Sequence, residues 1–318
     1  LHNSEHSFPT RRSSDLSVTI AGLRLKNPVM TASGTFGYGE EYAGFVDLGR
    51  LGAVVVKGLS LEPRSGNPPP RIIETPCGML NAVGLQNIGV RSFVAEKLPR
   101  LRDRGVTVVA NVYGESVDEY RRVCEILSTA LGVAALEINV SCPNVSKGGL
   151  AFGSDPETAA QVTAKVREVT DLTLIVKLTP NVTDIAVIAR AVEEAGADAV
   201  SLINTLTGMS IDVETKKPHL YNVTGGLSGP AIRPVALRMV YQAVRAVRIP
   251  VIGIGGICTA NDALEFLIAG ARAVQVGTAN FIDPKASIRV LDGIADYLRR
   301  HAIGALRDLI GTLRTPGE

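Results

Sequence analysis

Cysteine and histidine are scarce in this sequence, and their scarcity excludes several kinds of site. The 318 residues include four cysteines and four histidines. The cysteines lie far apart with no C-x-x-C pair, so we expect neither a zinc or iron–sulfur centre held by this chain alone nor a disulfide framework. None of the histidines follows a predicted core strand, so a histidine general base is not expected. Few, dispersed cysteines are typical of a reducing cytoplasm.

Strong net charge and long apolar runs are also missing. The formal net charge is +2, and no basic stripe of the kind that binds nucleic acid is present. No apolar run approaches the roughly 18 residues that a membrane-spanning helix needs, and no secretory signal is recognisable. No G-x-G-x-x-G motif opens a Rossmann unit, so this chain alone is not expected to bind NAD. We therefore predict a cytoplasmic protein without nucleic-acid or membrane partners.

The first sixteen residues, LHNSEHSFPTRRSSDL, are polar and aperiodic. FPTRRSSDL looks like translated sequencing-adapter DNA rather than evolved protein, although an ordinary disordered terminus is the alternative. We expect residues 1–16 to lie outside the fold and residues 17–318 to form a single domain.

Eight short, apolar and largely β-branched runs recur along the chain. Their continuous apolar character is typical of strands buried on both faces of a parallel sheet. Helical patterns lie between most of them, at 90–104, 155–170, 183–195 and 259–269. This alternation predicts a (β/α)8 TIM barrel, with a doubly wound open sheet as the alternative. The eight runs are 28–34, 53–60, 107–114, 135–142, 173–180, 199–206, 250–257 and 273–280.

Three segments do not fit the repeat. Residues 17–27 read as two short strands around Ala21-Gly22, a hairpin that we expect to plug the bottom of the barrel. Residues 67–87 and 208–229 are long insertions after the second and sixth strands. Insertions after barrel strands lie at the C-terminal face, where active sites are built, so we expect these two to pack together as a cap over the mouth.

Polar residues or glycines stand at the C-terminal end of every predicted strand. Buried polar groups are costly without partners, so their convergence predicts a polar ligand in the barrel mouth. The glycines after strands seven and eight are typical of a phosphate site, although tight packing turns are an alternative reading. The strand-end residues are Ser33-Gly34, Lys57-Gly58, Asn111, Asn139 with Cys142, Lys177, Asn204-Thr205, Gly255-Gly256 and Gly277-Thr278.

Two of these residues, Lys57 and Lys177, are lysines within apolar strands. A buried ammonium group needs an anion or a polarised ring beside it. A flavin meets that need, since a lysine near its pyrimidine end stabilises the charge of the reduced form. A Schiff base on Lys177, as in barrel aldolases, is the alternative.

Nine motifs together resemble one family, the class 1 dihydroorotate dehydrogenases, over residues 16 to 313. They occur in the family's order and span nearly the whole chain, which is more specific than any single motif. NAVGLQN and GTFGYGEEY look most like class 1B, the NAD-linked form. The motifs are ASGTFGYGEEY (32–42), KGLSLEPRSGNPPPR (57–71), NAVGLQN (81–87), EINVSCPNV (137–145), VKLTP (176–180), INTL (203–206), GGLSGPAIRP (225–234), GIGGI (253–257) and VGTAN (276–280).

The resemblance implies a role for each matched residue. Cys142 would be the catalytic base, on a loop that Pro143 stiffens and that residues 146–149 allow to open and close. Flavin mononucleotide (FMN) would be held by Ser33, Lys57, Gly58, Asn111, Asn139, Lys177, Ile203, Gly229, Gly255, Gly256, Gly277 and Thr278. The pyrimidine substrate would be held by Lys57, Asn81, Ala82, Val83, Gly84, Leu85, Asn139, Asn204 and Thr205.

The implied reaction belongs to pyrimidine biosynthesis: dihydroorotate is oxidised to orotate as C5 loses a proton and C6 loses a hydride. Class 1B further implies a homodimer of this chain joined to a partner carrying FAD and a [2Fe–2S] cluster, giving a heterotetramer that reduces NAD+. A fumarate-dependent class 1A enzyme, a dihydropyrimidine dehydrogenase-like flavoenzyme, a Lys177 aldolase and a non-catalytic scaffold remain alternatives. Cys77 lies near the expected cap and is assigned no role.

Overall fold

The computed structural model describes residues 14–141 and 153–317, and those residues form sixteen strands and nine α-helices. The strands are β1 Val18–Ile20, β2 Leu23–Leu25, β3 Val29–Thr31, β4 Val54–Val55, β5 Ile72–Thr75, β6 Gly78–Asn81, β7 Val108–Val112, β8 Val133–Asn139, β9 Thr173–Lys177, β10 Ala199–Leu202, β11 Leu206–Met209, β12 Ile211–Asp212, β13 Lys217–Pro218, β14 Thr224–Ser228, β15 Val251–Ile254 and β16 Ala273–Val276. The helices are α1 Val90–Ser92, α2 Leu98–Asp103, α3 Val117–Ser128, α4 Pro156–Arg167, α5 Ile185–Glu194, α6 Arg233–Ala246, α7 Ala260–Ile268, α8 Ala279–Ile282 and α9 Ala286–Arg300.

Eight parallel strands form the central barrel, in the order β3-β16-β15-β10-β9-β8-β7-β4. The two ends of this sheet meet, because Met30 and Ala53 form a parallel bridge. In the same seam the N–H of Gly52 donates to the carbonyl of Val29 at 2.8 Å. Each strand lies within or overlaps one of the eight apolar runs, so the predicted (β/α)8 barrel is confirmed and the open-sheet alternative is wrong.

The barrel strands are buried on both faces. All five residues of β7 are buried, as are six of the seven in β8. Valine, isoleucine and alanine dominate these strands, and β-branched side chains are favoured on a pleated surface. This is why their sequences read as continuous apolar runs rather than as alternating ones.

The helices predicted at 155–170, 183–195 and 259–269 are confirmed as α4, α5 and α7, whose ends lie within three residues of the predicted bounds. The Asp155 carboxylate accepts from the N–H of Thr158 at 2.8 Å at the start of α4. Thr259 and Asp262 form a reciprocal capping box at the start of α7, which satisfies two otherwise free backbone N–H groups. The predicted helix at 90–104 is broken by a π-helical turn at Phe93–Lys97, which lies between α1 and α2.

The N-terminal hairpin is confirmed as β1 and β2, paired antiparallel. Its buried side chains include Ile20 and Leu25, both fully buried. Burial of such a side chain contributes about 1.5–3 kcal/mol, so the pair anchors the hairpin to the barrel. A Cβ built on Gly22 would lie 3.6 Å from Oγ1 of Thr173, at the first residue of β9. The hairpin turn therefore lies at the N-terminal end of the barrel, as expected.

The two insertions join in one four-stranded antiparallel sheet, in the order β11-β14-β6-β5. β5 and β6 come from the first insertion, and β14 comes from the second. The pairing Asn81↔Gly226 connects the insertions directly. The expectation that they pack together as a cap is therefore confirmed.

The proposed boundary at residue 16 stays a prediction, because residues 1–13 lie outside the described part of the chain. Asp15 forms a parallel bridge with Ala305, and the Ser14 hydroxyl donates to the carbonyl of Ile303 at 2.8 Å. Residues 14–15 thus pair with the segment after α9. Among the described residues, no helix combines the length and apolarity that crossing a membrane requires.

Candidate active site

The C-terminal ends of β8, β9 and β10 bring three of the predicted site residues together. Asn139 and Lys177 are in register as neighbours on β8 and β9. Just beyond β10, the Asn204 amide donates from Nδ2 to Oδ1 of Asn139 at 3.1 Å. Lys177 reaches across the barrel, and its Nζ donates to Oγ of Ser33 at 3.2 Å. Strands that are distant in sequence thus place an ammonium, two amides and a hydroxyl at one mouth.

Beneath these residues lies a buried carboxylate, Glu137, which has no exposed surface. Its Oε1 accepts from Nδ2 of Asn111 at 2.7 Å and lies 3.8 Å from Nζ of Lys177. Its Oε2 accepts from Oγ of Ser201 at 2.9 Å and from Nε2 of Gln275 at 2.5 Å. Four barrel strands therefore direct a donor at one carboxylate, as a buried charge requires.

Glu137, Ser201 and Gln275 were not predicted as site residues. All three are polar residues inside apolar strands, in the stretches ALEINV, AVSLIN and AVQVGT. That pattern was the available signal, because a fully buried polar group needs a partner. The prediction considered only the strand ends and did not include them. Glu137 lies two residues before the end of β8, and Ser201 lies one residue before the end of β10.

Lys57 lies at the opposite side of the mouth, after β4. Its side chain is half-buried, and burial lowers the pKa of its ammonium group. The positive charge of Arg71 lowers that pKa further, while the carboxylate of Glu41 opposes the shift. Lys57 is therefore a cation held where its own charge is poorly solvated, which favours binding of an anionic group.

The neighbouring Gly58 is required by close packing. A Cβ there would lie 2.9 Å from Oδ1 of Asn111 and 4.0 Å from Cδ2 of Leu85. Among the described residues, that Asn111 oxygen is buried and has no hydrogen-bond partner. The absence of a side chain at Gly58 therefore leaves space beside Oδ1 of Asn111, which has no hydrogen-bond donor in the described part of the chain.

The predicted substrate loop, residues 81–85, begins at the end of β6 and brings Leu85 next to Gly58, where a Cβ would lie 4.0 Å from Cδ2 of Leu85. Asn67 holds it from the other side, since its N–H donates to the carbonyl of Val83 at 2.9 Å and its Nδ2 to that of Ala82 at 2.9 Å. Gly84 has a φ of 75°, and a Cβ there would lie 2.5 Å from Cγ of Asn67. The loop conformation therefore depends on a glycine at this position.

Asn204 and Thr205 are fixed by the residues around them. The N–H of Thr205 donates to Oδ1 of Asn204 at 2.9 Å, and Nδ2 of Asn181 donates to the Thr205 carbonyl at 3.1 Å. A Cβ on Gly226 of the cap would lie 2.0 Å from Oγ1 of Thr205. The cap strand β14 therefore packs directly against the side chain of Thr205, one of the predicted substrate contacts.

The glycines predicted to hold phosphate gather around β15, β16 and the end of β14. Gly255 and Gly256 have φ values of 127° and 71°, and a Cβ on Gly256 would lie 2.6 Å from Cβ of Arg233. Oγ1 of Thr278 donates to Oγ of Ser228 at 2.8 Å, next to Gly229. A Cβ on Gly255 would lie 3.4 Å from Ile203. The structure thus places Gly255 and Gly256 close to Ile203 and Arg233, and Thr278 close to the segment that contains Gly229.

The predicted base, Cys142, lies outside the described residues, as do Pro143 and residues 146–149. The last described residue before it is Ser141, whose N–H donates to Oδ1 of Asn139 at 3.2 Å and whose hydroxyl donates to the Lys177 carbonyl at 3.3 Å. Position 142 therefore directly follows a residue that is bonded to two predicted site residues.

The other cysteines differ in their surroundings. Cys124 is buried in α3, and burial raises the pKa of its thiol. Cys258 is half-buried, and burial likewise raises its pKa although Arg233 opposes the shift. Cys77 is exposed in the turn between β5 and β6 of the cap, where its carbonyl accepts from the N–H of Ala231 at 2.9 Å.

Comparison with known proteins identifies the family of this site. The dihydroorotate dehydrogenase family model matches residues 15–298. The chain belongs to the dihydroorotate dehydrogenase family. It is 58% identical over 301 residues to a protein of Geotalea uraniireducens named dihydroorotate dehydrogenase B (NAD(+)), catalytic subunit, covering 95% of this chain and 99% of that protein.

Two other relatives with that same name agree. The protein of Trichlorobacter lovleyi is 59% identical over 298 residues, covering 94% of this chain and 98% of its own. That of Thermoanaerobacter sp. is 57% identical over 300 residues, covering 94% and 99%. The dihydroorotate dehydrogenase resemblance drawn from the motifs is therefore confirmed, including its class 1B character.

Proposed function

We propose that this protein is the FMN-dependent catalytic subunit of a class 1B dihydroorotate dehydrogenase. The observation that carries the proposal is the meeting of Lys57, Lys177, Asn139 and Asn204 at one barrel mouth in a member of this family. Relatives of nearly full-length coverage are named as the NAD(+)-linked B form. Those names do not favour the fumarate-dependent, dihydrouracil or aldolase alternatives.

The residues of the mouth suit FMN. The buried Oδ1 of Asn111 lacks a donor among the described residues, and the isoalloxazine ring has an imide N–H to offer. Gly255, Gly256 and Gly277 follow β15 and β16, where backbone N–H groups would bind the phosphate. Lys177 would stabilise negative charge at the pyrimidine end of the ring. Ser33, Lys57, Gly58, Asn139, Ile203, Gly229 and Thr278 complete the proposed set.

The protein side chains would bind, orient and deprotonate the substrate. Lys57 would pair with the carboxylate of dihydroorotate, and asparagines 81, 139 and 204 would donate to and accept from its ring amides. Backbone of residues 82–85 and the Thr205 hydroxyl would complete the contacts. The bound flavin supplies the acceptor for the hydride that leaves C6.

Cys142 would remove the proton from C5, on the face of the substrate opposite the flavin. A thiolate is a competent base near neutral pH when positive charge lies nearby, because that charge lowers the thiol pKa. Loss of one proton and one hydride would convert dihydroorotate to orotate, so the C5–C6 bond would become double and the hydride would carry two electrons away from the substrate.

The electrons would pass to NAD+ through a second subunit. The relatives are named catalytic subunits, which implies a partner in their assemblies. We propose that this partner carries FAD and a [2Fe–2S] cluster and that it joins a homodimer of this chain in a heterotetramer.

An anaerobic absorbance titration tests the proposal. The purified chain, reconstituted with FMN, is mixed with dihydroorotate, and we expect the flavin bands to bleach with one equivalent of orotate formed. Cys142→Ala should show the wild-type spectrum of oxidised flavin before dihydroorotate is added. Its flavin bands should then bleach far more slowly than those of wild type. A wild-type protein that does not bind FMN, or whose flavin stays oxidised with dihydroorotate, would refute the proposal.

A further inference from the structure

We propose that Glu137 is a positioning residue: it fixes the amide of Asn111 so that Oδ1, rather than Nδ2, faces the ligand. The inference rests on the proposed function, since the ligand concerned is the flavin. It assigns a role to a residue in the interior of the barrel, below the residues expected to touch substrate or cofactor.

The geometry leaves the Asn111 amide one orientation. Asn111 and Glu137 are in register on β7 and β8, and Nδ2 donates to Oε1 at 2.7 Å. An ionised carboxylate can only accept, so the oxygen of the amide must turn away from it. Asn111 is 1% exposed, so no surrounding water compensates for the opposite orientation.

The carboxylate is itself held in place by independent contacts. Ser201 and Gln275 donate to Oε2, and the ammonium of Lys177 lies 3.8 Å from Oε1. These groups come from three further strands, β10, β16 and β9. Glu137 therefore has no free rotation with which to release Asn111.

The amide oxygen of Asn111 restricts which ligands can bind beside it. Oδ1 of Asn111 is buried, lacks a donor among the described residues, and lies where a Cβ on Gly58 would approach within 2.9 Å. A ligand that enters beside Gly58 must bring a donor or leave that oxygen unpaired. The imide N–H of the isoalloxazine ring is such a donor, whereas a ring methylated at that nitrogen is not.

The test compares FMN with N3-methyl-FMN on the full chain stripped of flavin, by quenching of flavin fluorescence. Wild type should bind FMN at least tenfold more tightly than the methylated analogue. Glu137→Leu removes the acceptor that orients Asn111, so this preference should fall by about tenfold. Glu137→Gln keeps an acceptor oxygen for Asn111. Its new amide N–H can donate to Oε1 of Gln275 once the Gln275 amide has rotated, because that buried oxygen has no hydrogen-bond partner in the described part of the chain. This variant should retain the preference within about threefold.

Ser201→Ala is the matched control, since it removes another donor to Glu137 without freeing Asn111. It should lower the melting temperature yet leave the preference unchanged. A purely structural Glu137 would instead give a destabilised Glu137→Leu protein with the wild-type preference, and that result would overturn the inference alone. A wild-type chain that binds neither flavin would overturn both the inference and the proposed function.

A second pair of variants covers the case in which Glu137→Leu does not fold. Asn111→Asp sets two carboxylates side by side and should weaken FMN binding by at least tenfold. Adding Glu137→Gln restores a donor and an acceptor between the two positions, so FMN affinity should recover most of that loss. A double variant that binds FMN no better than Asn111→Asp would also overturn the inference.

Discussion

Nζ of Lys177 lies 3.8 Å from Oε1 of Glu137, and the two side chains are 5% and 0% exposed. Charges this deeply buried interact strongly, and removing one leaves the other without compensation. Glu137 retains three other donors when Lys177 is lost. The cost of breaking the pair should therefore fall below the 3–5 kcal/mol typical of a fully orphaned buried charge.

Lys177→Met should accordingly lower the free energy of unfolding by about 1–3 kcal/mol. Chemical denaturation of the flavin-free protein measures the change directly, without any contribution from FMN binding. Lys217→Met is the control, because Lys217 is exposed on the cap and its loss should change stability by less than about 0.5 kcal/mol. Equal effects of the two substitutions would show that the buried pair contributes no more than a surface lysine.

The sequence predicted most of this architecture because each barrel strand is short, apolar and followed by a helical pattern. Helix ends were readable from Asp155 and Thr259, whose side chains cap backbone N–H groups locally. The π-helical turn at Phe93–Lys97 was not readable, since its register depends on packing rather than on a local residue pattern. Strand ends located Lys177 and Asn139 for the same topological reason: parallel strands end at one face.

The Glu137 network could not be assembled from the sequence alone. Its members lie on β7, β8, β9, β10 and β16, and only closure of the barrel brings them within hydrogen-bond distance. Each is one polar residue in an apolar run, which indicates a buried partner without identifying it. The pairing of the two cap insertions was predicted as a contact, but its register at Asn81↔Gly226 required the structure.

The lowered pKa of Lys57 predicts the pH dependence of orotate binding. Burial is the main cause of the shift from the ordinary value of 10.5, and Arg71 adds to it. The protonated amine is the form that pairs with a carboxylate, and it is lost as pH rises through the lowered pKa. Orotate affinity, measured by perturbation of the flavin spectrum, should therefore decline at a lower pH than an ordinary lysine would allow.

Lys57→Met identifies the group responsible. Loss of a charge-assisted contact should weaken orotate binding by about 10- to 100-fold near neutral pH. The alkaline decline should also disappear, because the titrating amine is gone. A variant that keeps the same alkaline decline would assign it to another group.

Gly256 should not tolerate a side chain. Its φ is 71°, and a Cβ would lie 2.6 Å from Cβ of Arg233 and 2.8 Å from its backbone nitrogen. Gly256→Ala combines left-handed strain of about 1–2 kcal/mol with a backbone shift in the proposed phosphate site. FMN affinity should fall at least tenfold by fluorescence titration. Gly304→Ala, where a Cβ would meet no atom of residues 14–141 or 153–317 within 4 Å, should leave FMN affinity unchanged.

Cys142→Ser should slow flavin reduction without releasing FMN. A hydroxyl is a far weaker acid than a thiol, so replacing sulfur removes most of the base at neutral pH, and general-base catalysis is worth about 10²–10⁴-fold. Stopped-flow absorbance with saturating dihydroorotate measures the rate of bleaching directly. Cys77→Ser is the matched control, because Cys77 is exposed in the cap turn. The flavin of this variant should be reduced at the wild-type rate. Raising the pH should increase the bleaching rate of the serine variant more than that of wild type, because the serine hydroxyl is still protonated at pH values where the thiol has already ionised. If Cys142→Ser bleached at the wild-type rate, the proton at C5 would be taken by a different group.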